Sequence, residues 1–295
     1  MNYNHQFHAG NFADIFKHLI LIFCLEKLHE KSSSFLAIDT HSSCGKFNIF
    51  DEKILKTNEF NEGLNKILKN NNFKEILPIN YLKILAKINC CEIDEIPSKI
   101  KVYSGSAMII KNFLRSQDKA IFAETHSEIF YQLSRNFTGN KKILCIKEDG
   151  FSTLKSKLPS LEKRNLILID PAFEKINDKI SADYQKILIA LHEGYKRCNN
   201  AIFIIWHPII DGEENLLNNF YNNIASLNFS KIHHIIIDIG KNIEKPLKLH
   251  SCGMFIINMP WQIDNRINEY FPKALQILKN SEKNYFKIKT IKDSQ

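Results

Sequence analysis

Short apolar runs that stop at a polar or acidic residue recur along this chain. Phe35–Ile38 ends at Asp39, Ala120–Ala123 at Glu124, and Leu166–Ile169 at Asp170–Pro171. Lys142–Ile146 leads to Asp149–Gly150, Ala201–Trp206 to His207–Pro208, Ile235–Ile237 to Asp238, and Phe255–Ile257 to Asn258. Continuous runs of this length suit strands buried on both faces. Helical spacing fills several of the gaps, over Glu128–Phe137, Tyr184–Lys196 and Glu213–Ala225. The alternation predicts an α/β fold with a mostly parallel sheet. Ligands of such sheets bind at the carboxyl ends of the strands, which is where Asp39, Glu124, Asp149 and Asp170 would stand.

Ahead of the first strand, Asn11 reads as a helix N-cap, and Asp14 favours the helix dipole. Phe12, Ile15, Phe16, Leu19, Ile20 and Phe23 then recur at helical spacing, predicting a helix that runs to about Glu30. Residues 48–98 break the strand–helix alternation. They are rich in Lys, Asn and Glu, with Leu and Ile at helical spacing, and read as a small helical insertion. The expected organisation is a core of residues 1–47 and 99–279, that insertion, and a loose Lys-rich tail over 280–295.

Composition adds bounds rather than an identity. With 295 residues and 44% hydrophobic content the chain can bury a large core, which excludes disorder. Its 40 Lys and Arg against 32 Asp and Glu leave a net charge of +8, a weak pointer to a polyanionic partner. Of the basic residues 35 are Lys, in keeping with an AT-rich coding sequence, which discounts part of that pointer. Seven scattered cysteines without a C-x-x-C pair suggest reduced thiols in the cytoplasm and no metal site. The apolar run near the N-terminus, Leu19–Leu25, is far shorter than the roughly 18–20 residues a membrane span needs, and no signal-peptide pattern follows it.

Several motifs are missing. There is no G-x-G-x-x-G, and Gly45–Lys46 lacks the flanking residues of a P-loop. Neither a zincin helix nor a G-x-S-x-G elbow is found. What remains is Asp170–Pro171–Ala172–Phe173 after an apolar strand, which resembles the [DNS]-P-P-[YFW] loop of amino-group methyltransferases. In that loop the acid and the next carbonyl accept the two hydrogens of an exocyclic amine, and the aromatic ring stacks on the base. Positioning of the amine does most of the catalytic work. An Asp-Pro turn that merely closes a strand needs no chemistry, so the tetrapeptide alone leaves both readings open. Asn258–Met259–Pro260–Trp261 fits the same loose pattern. It follows the last apolar run and reads as structural, with Trp261 closing the core.

A longer set of matches decides more. Phe7–His8–Ala9–Gly10–Asn11, Ala13–Asp14 and Lys17–His18 closely resemble the start of the RlmJ-type bacterial 23S rRNA adenine-N6-methyltransferases. So do Asp39–Thr40–His41, Ser104–Gly105–Ser106, Asp149–Gly150–Phe151, the run from Leu166 to Pro171, Glu193–Gly194–Tyr195–Lys196–Arg197 and Ser251–Cys252–Gly253–Met254. They occur in order from residue 3 to about residue 261, and Glu59–Phe60–Asn61–Glu62–Gly63 resembles part of that family's helical subdomain. The resemblance implies a class I, Rossmann-like methyltransferase dependent on S-adenosylmethionine (SAM), acting on 23S rRNA as a cytoplasmic monomer, without metal.

Position by position, it implies that Lys17, His18, His41 and Ser106 line the SAM site, with Lys17 opposite the methionine carboxylate. Glu124 would hold the ribose hydroxyls, and Asp149 with Gly150 would frame the adenine of SAM. Asp170 and Pro171 would accept the target amine, Phe173 would stack on the target base, and Tyr3 would touch the RNA. Two departures stand out. Ser42–Ser43–Cys44–Gly45 replaces a glycine-rich loop, and Ala172 replaces a proline. A SAM-dependent adenine methyltransferase acting on DNA, or a non-catalytic RNA-binding relative, remain the alternatives.

Overall fold

The computed structural model describes residues 5–173, 181–245 and 248–293. Its main sheet has eight strands, β1 (Phe35–Asp39), β4 (Lys119–Ala123), β5 (Ile143–Ile146), β6 (Arg164–Ile169), β7 (Ile202–Ile209), β8 (Lys231–Asp238), β9 (Ser251–Ile257) and β10 (Tyr285–Asp293). A small antiparallel pair, β2 (Lys46–Asn48) and β3 (Val102–Ser104), stands apart. The main order is β10-β8-β9-β7-β6-β1-β4-β5. From β5 to β7 all neighbours are parallel, while β9 runs antiparallel to both β7 and β8.

Alternate side chains of the parallel strands enter different cores. Phe35, Ala37, Phe122, Leu166 and Leu168 face the layer that holds the N-terminal helix. Leu36, Ile38, Ile121, Ile167 and Ile169 face the layer of helices Gly150–Lys157, Ser181–Arg197 and Glu214–Ser226. Burial on both faces is why these strands read as continuous apolar runs.

The N-terminal helix, Phe12–His29, starts where Asn11 caps it, the Asn11 side chain accepting from the Asp14 N–H at 2.9 Å. It is buried nearly all round, between the sheet, the helix Ser106–Phe113, the helix Ile263–Leu278 and the insertion. That position explains why its sequence shows no polar stripe. Between β2 and β3 lie six short α-helices, Glu52–Thr57, Glu59–Glu62, Leu64–Leu68, Phe73–Ile76, Ile79–Ile88 and Ile96–Lys99, and one 3₁₀ turn, Ile93–Glu95. They are stitched to the start of the N-terminal helix. Leu64 N–H donates to the Gly10 carbonyl at 2.9 Å, and the Glu59 carboxylate takes Asn11 Nδ2 at 3.0 Å and His8 Nδ1 at 3.1 Å. The approach is so close that a β-carbon on Gly63 would stand 2.0 Å from the Gly10 carbonyl oxygen.

Two sequence expectations are corrected. The tail is not loose, because β10 pairs along β8 in antiparallel register from Tyr285 to Asp293. Phe286 and Ile288 pack on the core while Lys287 and Lys289 point outward, the guarded pattern of an edge strand. Trp261 does not close the core; it is 80% exposed. Its loop leaves β9 at the end of the sheet opposite Asp170, where a turn turns the ring outward. Among the described residues no helix is long and apolar enough to cross a membrane.

Candidate active site

The parallel strands deliver their terminal acids to one rim. Asp39 ends β1 fully buried. Ser106 Oγ donates to its Oδ2 at 2.5 Å and the His41 N–H to its Oδ1 at 3.3 Å. Burial pushes the Asp39 carboxyl up to about 6, against the pull of Ser106 and Lys17. The Thr40 hydroxyl donates to the Leu168 carbonyl at 3.0 Å, so its oxygen is left to accept from His41 Nδ1–H at 2.8 Å. His41 then offers Nε2 as an acceptor. Its ring stands edge-on to Phe151 at 5.0 Å, and burial lowers its pKa.

Glu124 follows β4. Burial raises its pKa, while the His126 N–H donates to it at 2.8 Å. Asp149 caps the helix Gly150–Lys157, accepting from the Ser152 N–H at 3.2 Å. Gly150 is fixed by packing: a β-carbon there would lie 1.9 Å from the Thr40 carbonyl oxygen.

A buried ionic chain crosses the floor of the rim. Lys17 Nζ donates to Asp14 Oδ1 at 2.7 Å and to Asp170 Oδ2 at 2.5 Å. Burial alone would lower the Lys17 pKa, but the two carboxylates outweigh it and hold the ammonium charged. Asp14 also takes His5 Nε2 at 3.1 Å, the Gly10 N–H at 2.9 Å and the Tyr103 hydroxyl at 3.4 Å. Against its own burial, the charges of His5 and Lys17 hold the Asp14 carboxyl well below the usual range. His18 is buried behind this chain, its Nδ1 2.8 Å from the Tyr103 hydroxyl, and burial pushes it down to about 3.

Two cavities meet at this point. One, of about 80 Å³, is lined by Lys17, His18, His41, Ser106, Glu124 and Asp149 among others. The other, of about 430 Å³, opens beneath the insertion and is lined by Asn11, Glu59, Ala172, Phe173 and Trp206 among others. His5, Lys17, Asp170 and Ala172 line both. Asp170 therefore stands in the shared wall, accessible from either side.

Six of the seven residues expected around a cofactor thus line one cavity. The seventh, Gly150, sits behind its wall against Thr40 rather than on the lining. Phe173 lines the larger cavity in left-handed backbone (φ +50), with its ring against Tyr184 at 4.9 Å and Trp206 at 5.7 Å. It is buried, so its ring serves the wall in this arrangement. Tyr3 lies outside the described residues. The sequence motifs give no site role to Asp14, which pairs with Lys17, or to His5, which bonds Asp14 in turn. In sequence, Asp14 stands out as a dipole partner and as part of the Ala13–Asp14 match. A carboxylate one helical turn before Lys17, on a helix with no polar face, was the available signal.

The parallel strands, the terminal acids and Asp170–Pro171 after β6 together define a Rossmann-like methyltransferase of class I. Within that class, the chain belongs to the family described as Ribosomal RNA large subunit methyltransferase D, RlmJ, whose sequence profile matches residues 32–287. It is 30% identical to Ribosomal RNA large subunit methyltransferase J of Haemophilus influenzae, over 94% of each chain. The protein of the same name from Escherichia coli is also 30% identical, over 92% of each chain. A crystal structure from Legionella pneumophila superposes with a TM-score of 0.82 at 28% identity, covering 96% of this chain and 98% of that one.

Proposed function

We propose that this chain transfers a methyl group from SAM to the exocyclic N6 of an adenine in 23S rRNA. The observation that carries the reading is the position of Asp170 in the wall common to the two cavities. The smaller cavity suits the cofactor by its donor set. Glu124 offers a carboxylate to two ribose hydroxyls, and His126 Nδ1, buried without a protein partner, lies on the same wall. Asp149, His41 and Ser106 supply polar edges around the nucleoside, and Lys17 supplies a fixed cation for the carboxylate. Bound there, SAM supplies an electrophilic methyl carbon.

The protein's own residues do the rest. Asp170 and the Pro171 carbonyl accept the two N6 hydrogens, which aims the nitrogen lone pair across the wall. Transfer to N6 would release the cofactor as its neutral thioether, and the surplus N6 proton would pass to the Asp170 carboxylate and from there to solvent. Lys17 Nζ donates to Asp170 Oδ2 and so fixes the orientation of that carboxylate. The target base enters the larger cavity, flipped from its stack, with Phe173 and Trp206 as its apolar wall. Tyr3 and the exposed lysines of residues 48–98, which we read as an inserted subdomain, would hold the surrounding RNA.

Asp170→Asn tests the assignment, since it keeps the shape but adds donors where the amine needs acceptors. Methyl transfer to an rRNA fragment should fall at least about 100-fold, with SAM binding by calorimetry retained. Undiminished transfer would remove Asp170 from the mechanism. Transfer to DNA but not RNA would replace the substrate, and absence of SAM binding by the wild-type chain would favour a non-catalytic RNA-binding protein.

A further inference from the structure

The end of the sheet away from Asp170 carries a second structured feature that methyl transfer leaves unused. Trp261, 80% exposed, is presented there on a fixed turn. Asn258 and Gln262 both adopt left-handed backbone, with φ of +54 and +66, a conformation that a β-carbon disfavours. Three hydrogen bonds hold the Asn258 end. Its N–H donates to the Lys231 carbonyl at 2.9 Å, and its Nδ2 to the carbonyls of Asn199 at 2.8 Å and Ala201 at 2.7 Å. An indole kept in solvent by a clamped turn is not a packing residue.

Beside it lies a cleft of about 420 Å³, in which four cationic side chains, Lys27, Lys31, Lys163 and Arg164, stand against the single carboxylate of Glu30. Their duties differ. Arg164 gives its donors to the carbonyls of Leu28, Lys31 and Ser33, which fixes the end of the N-terminal helix to the start of β6. Lys27 pairs with Glu30 at 2.7 Å and sits 5.9 Å from the indole centroid. Lys31 and Lys163 are exposed and, among the described residues, have no ion-pair partner. Of the other apolar residues lining the cleft, Leu28 and Ile202 are buried and Pro260 is half-buried, so among the described residues Trp261 is the one large apolar side chain of the lining that stands exposed.

One exposed ring flanked by unpaired ammonium groups is the chemistry of a stacking platform on a phosphate track. A protein-docking patch would instead need several neighbouring apolar side chains. We propose that this cleft is a second RNA-docking surface, which stacks an unpaired base of the substrate RNA on Trp261 and holds the adjoining phosphates on Lys31 and Lys163. Arg164 opens β6 and Asp170 follows its last residue, so the two surfaces are about 20 Å apart at 3.3 Å per residue. The inference rests on the reading of RNA as substrate. It implies that the enzyme recognises RNA beyond the nucleotide it methylates.

The test uses the full chain with two probes, an rRNA fragment that it methylates and a short mixed-sequence single-stranded RNA. Trp261→Ala should weaken binding of both by roughly 5- to 100-fold, and Trp261→Phe, which keeps a ring, should recover most of the loss. Replacing Lys31 and Lys163 by Gln together should weaken binding and lower the salt slope by about 1.4, the value for two phosphates of a single strand. In all three variants SAM affinity and kcat at saturating rRNA should match wild type, with KM for RNA raised. Variants that bind both RNAs as wild type does would overturn the second surface and leave the catalytic reading intact. A wild-type chain that binds neither RNA would overturn both.

Discussion

At the scale of single residues, Lys17 is the group on which both cavities depend. Its ammonium is buried between the carboxylates of Asp14 and Asp170, which together outweigh burial and hold it charged. Removing one member of a buried ionic set leaves an uncompensated charge, which costs about 3–5 kcal/mol. Lys17→Met should therefore lower stability by that order in urea unfolding, besides weakening SAM binding. Adding Asp14→Asn to it should cost less than the two single changes summed, because the pair is coupled. Additive losses would mean that the ammonium is held by hydration instead. The sequence marked Lys17 through family resemblance, and the Asn11 cap through residue type. What it could not display was the convergence on Asp170, which is 153 positions away.

At the scale of elements, the insertion and the N-terminal segment form one unit. Gly10, with φ +77, lets the chain turn into the helix, and Gly63 lets the insertion's backbone touch that turn. Gly63→Ala would place a methyl 2.0 Å from a backbone oxygen that has no freedom to yield. The expected cost is about 1–3 kcal/mol, and the expected signature is local. Limited proteolysis should cut faster within residues 48–98 while the sheet stays protected, and a uniform rise in cleavage would argue against a separable dock. The strands and the longer helices were legible in sequence, because burial on both faces writes continuous apolar runs. β10 is hard to read in sequence because lysines at 287, 289 and 292 interrupt its apolar residues and its register shifts between Thr290 and Lys292. Trp261 was misplaced because its exposure is set by two left-handed residues, Asn258 and Gln262, that are not glycine.

Over the whole molecule, buried histidines set how stability responds to pH. His207 Nδ1 bonds the Pro208 carbonyl at 3.1 Å, which makes that nitrogen the donor and leaves Nε2 to accept from His234 Nε2–H at 3.0 Å. A proton added at His207 Nε2 would set two N–H groups against each other. Burial pushes His207 down to about 4, and burial with the neighbouring His207 pushes His234 down to about 2. His18, His41 and His233 are lowered as well, each chiefly by burial. In the unfolded chain all five titrate near 6.5. Below that pH the unfolded state binds more protons than the fold, so stability is full above it and is lost as the pH falls toward the lowered values. Three groups act the other way. His8 is raised, its Glu59 partner outweighing burial, and Asp39 and Glu124 are raised by burial. Each is protonated more in the fold and opposes the loss within its own window. Five groups against three leave a net decline, up to roughly 1.4 kcal/mol per pH unit for each unopposed histidine. Urea midpoints should fall between pH 7 and pH 5 in wild type. His234→Gln should flatten the slope by about one proton's worth, because the glutamine amide keeps a donor toward His207 without titrating. A wild-type midpoint that holds or rises over that range would mean that the raised groups dominate, and that the antiparallel half of the sheet admits water to the His207–His234 pair.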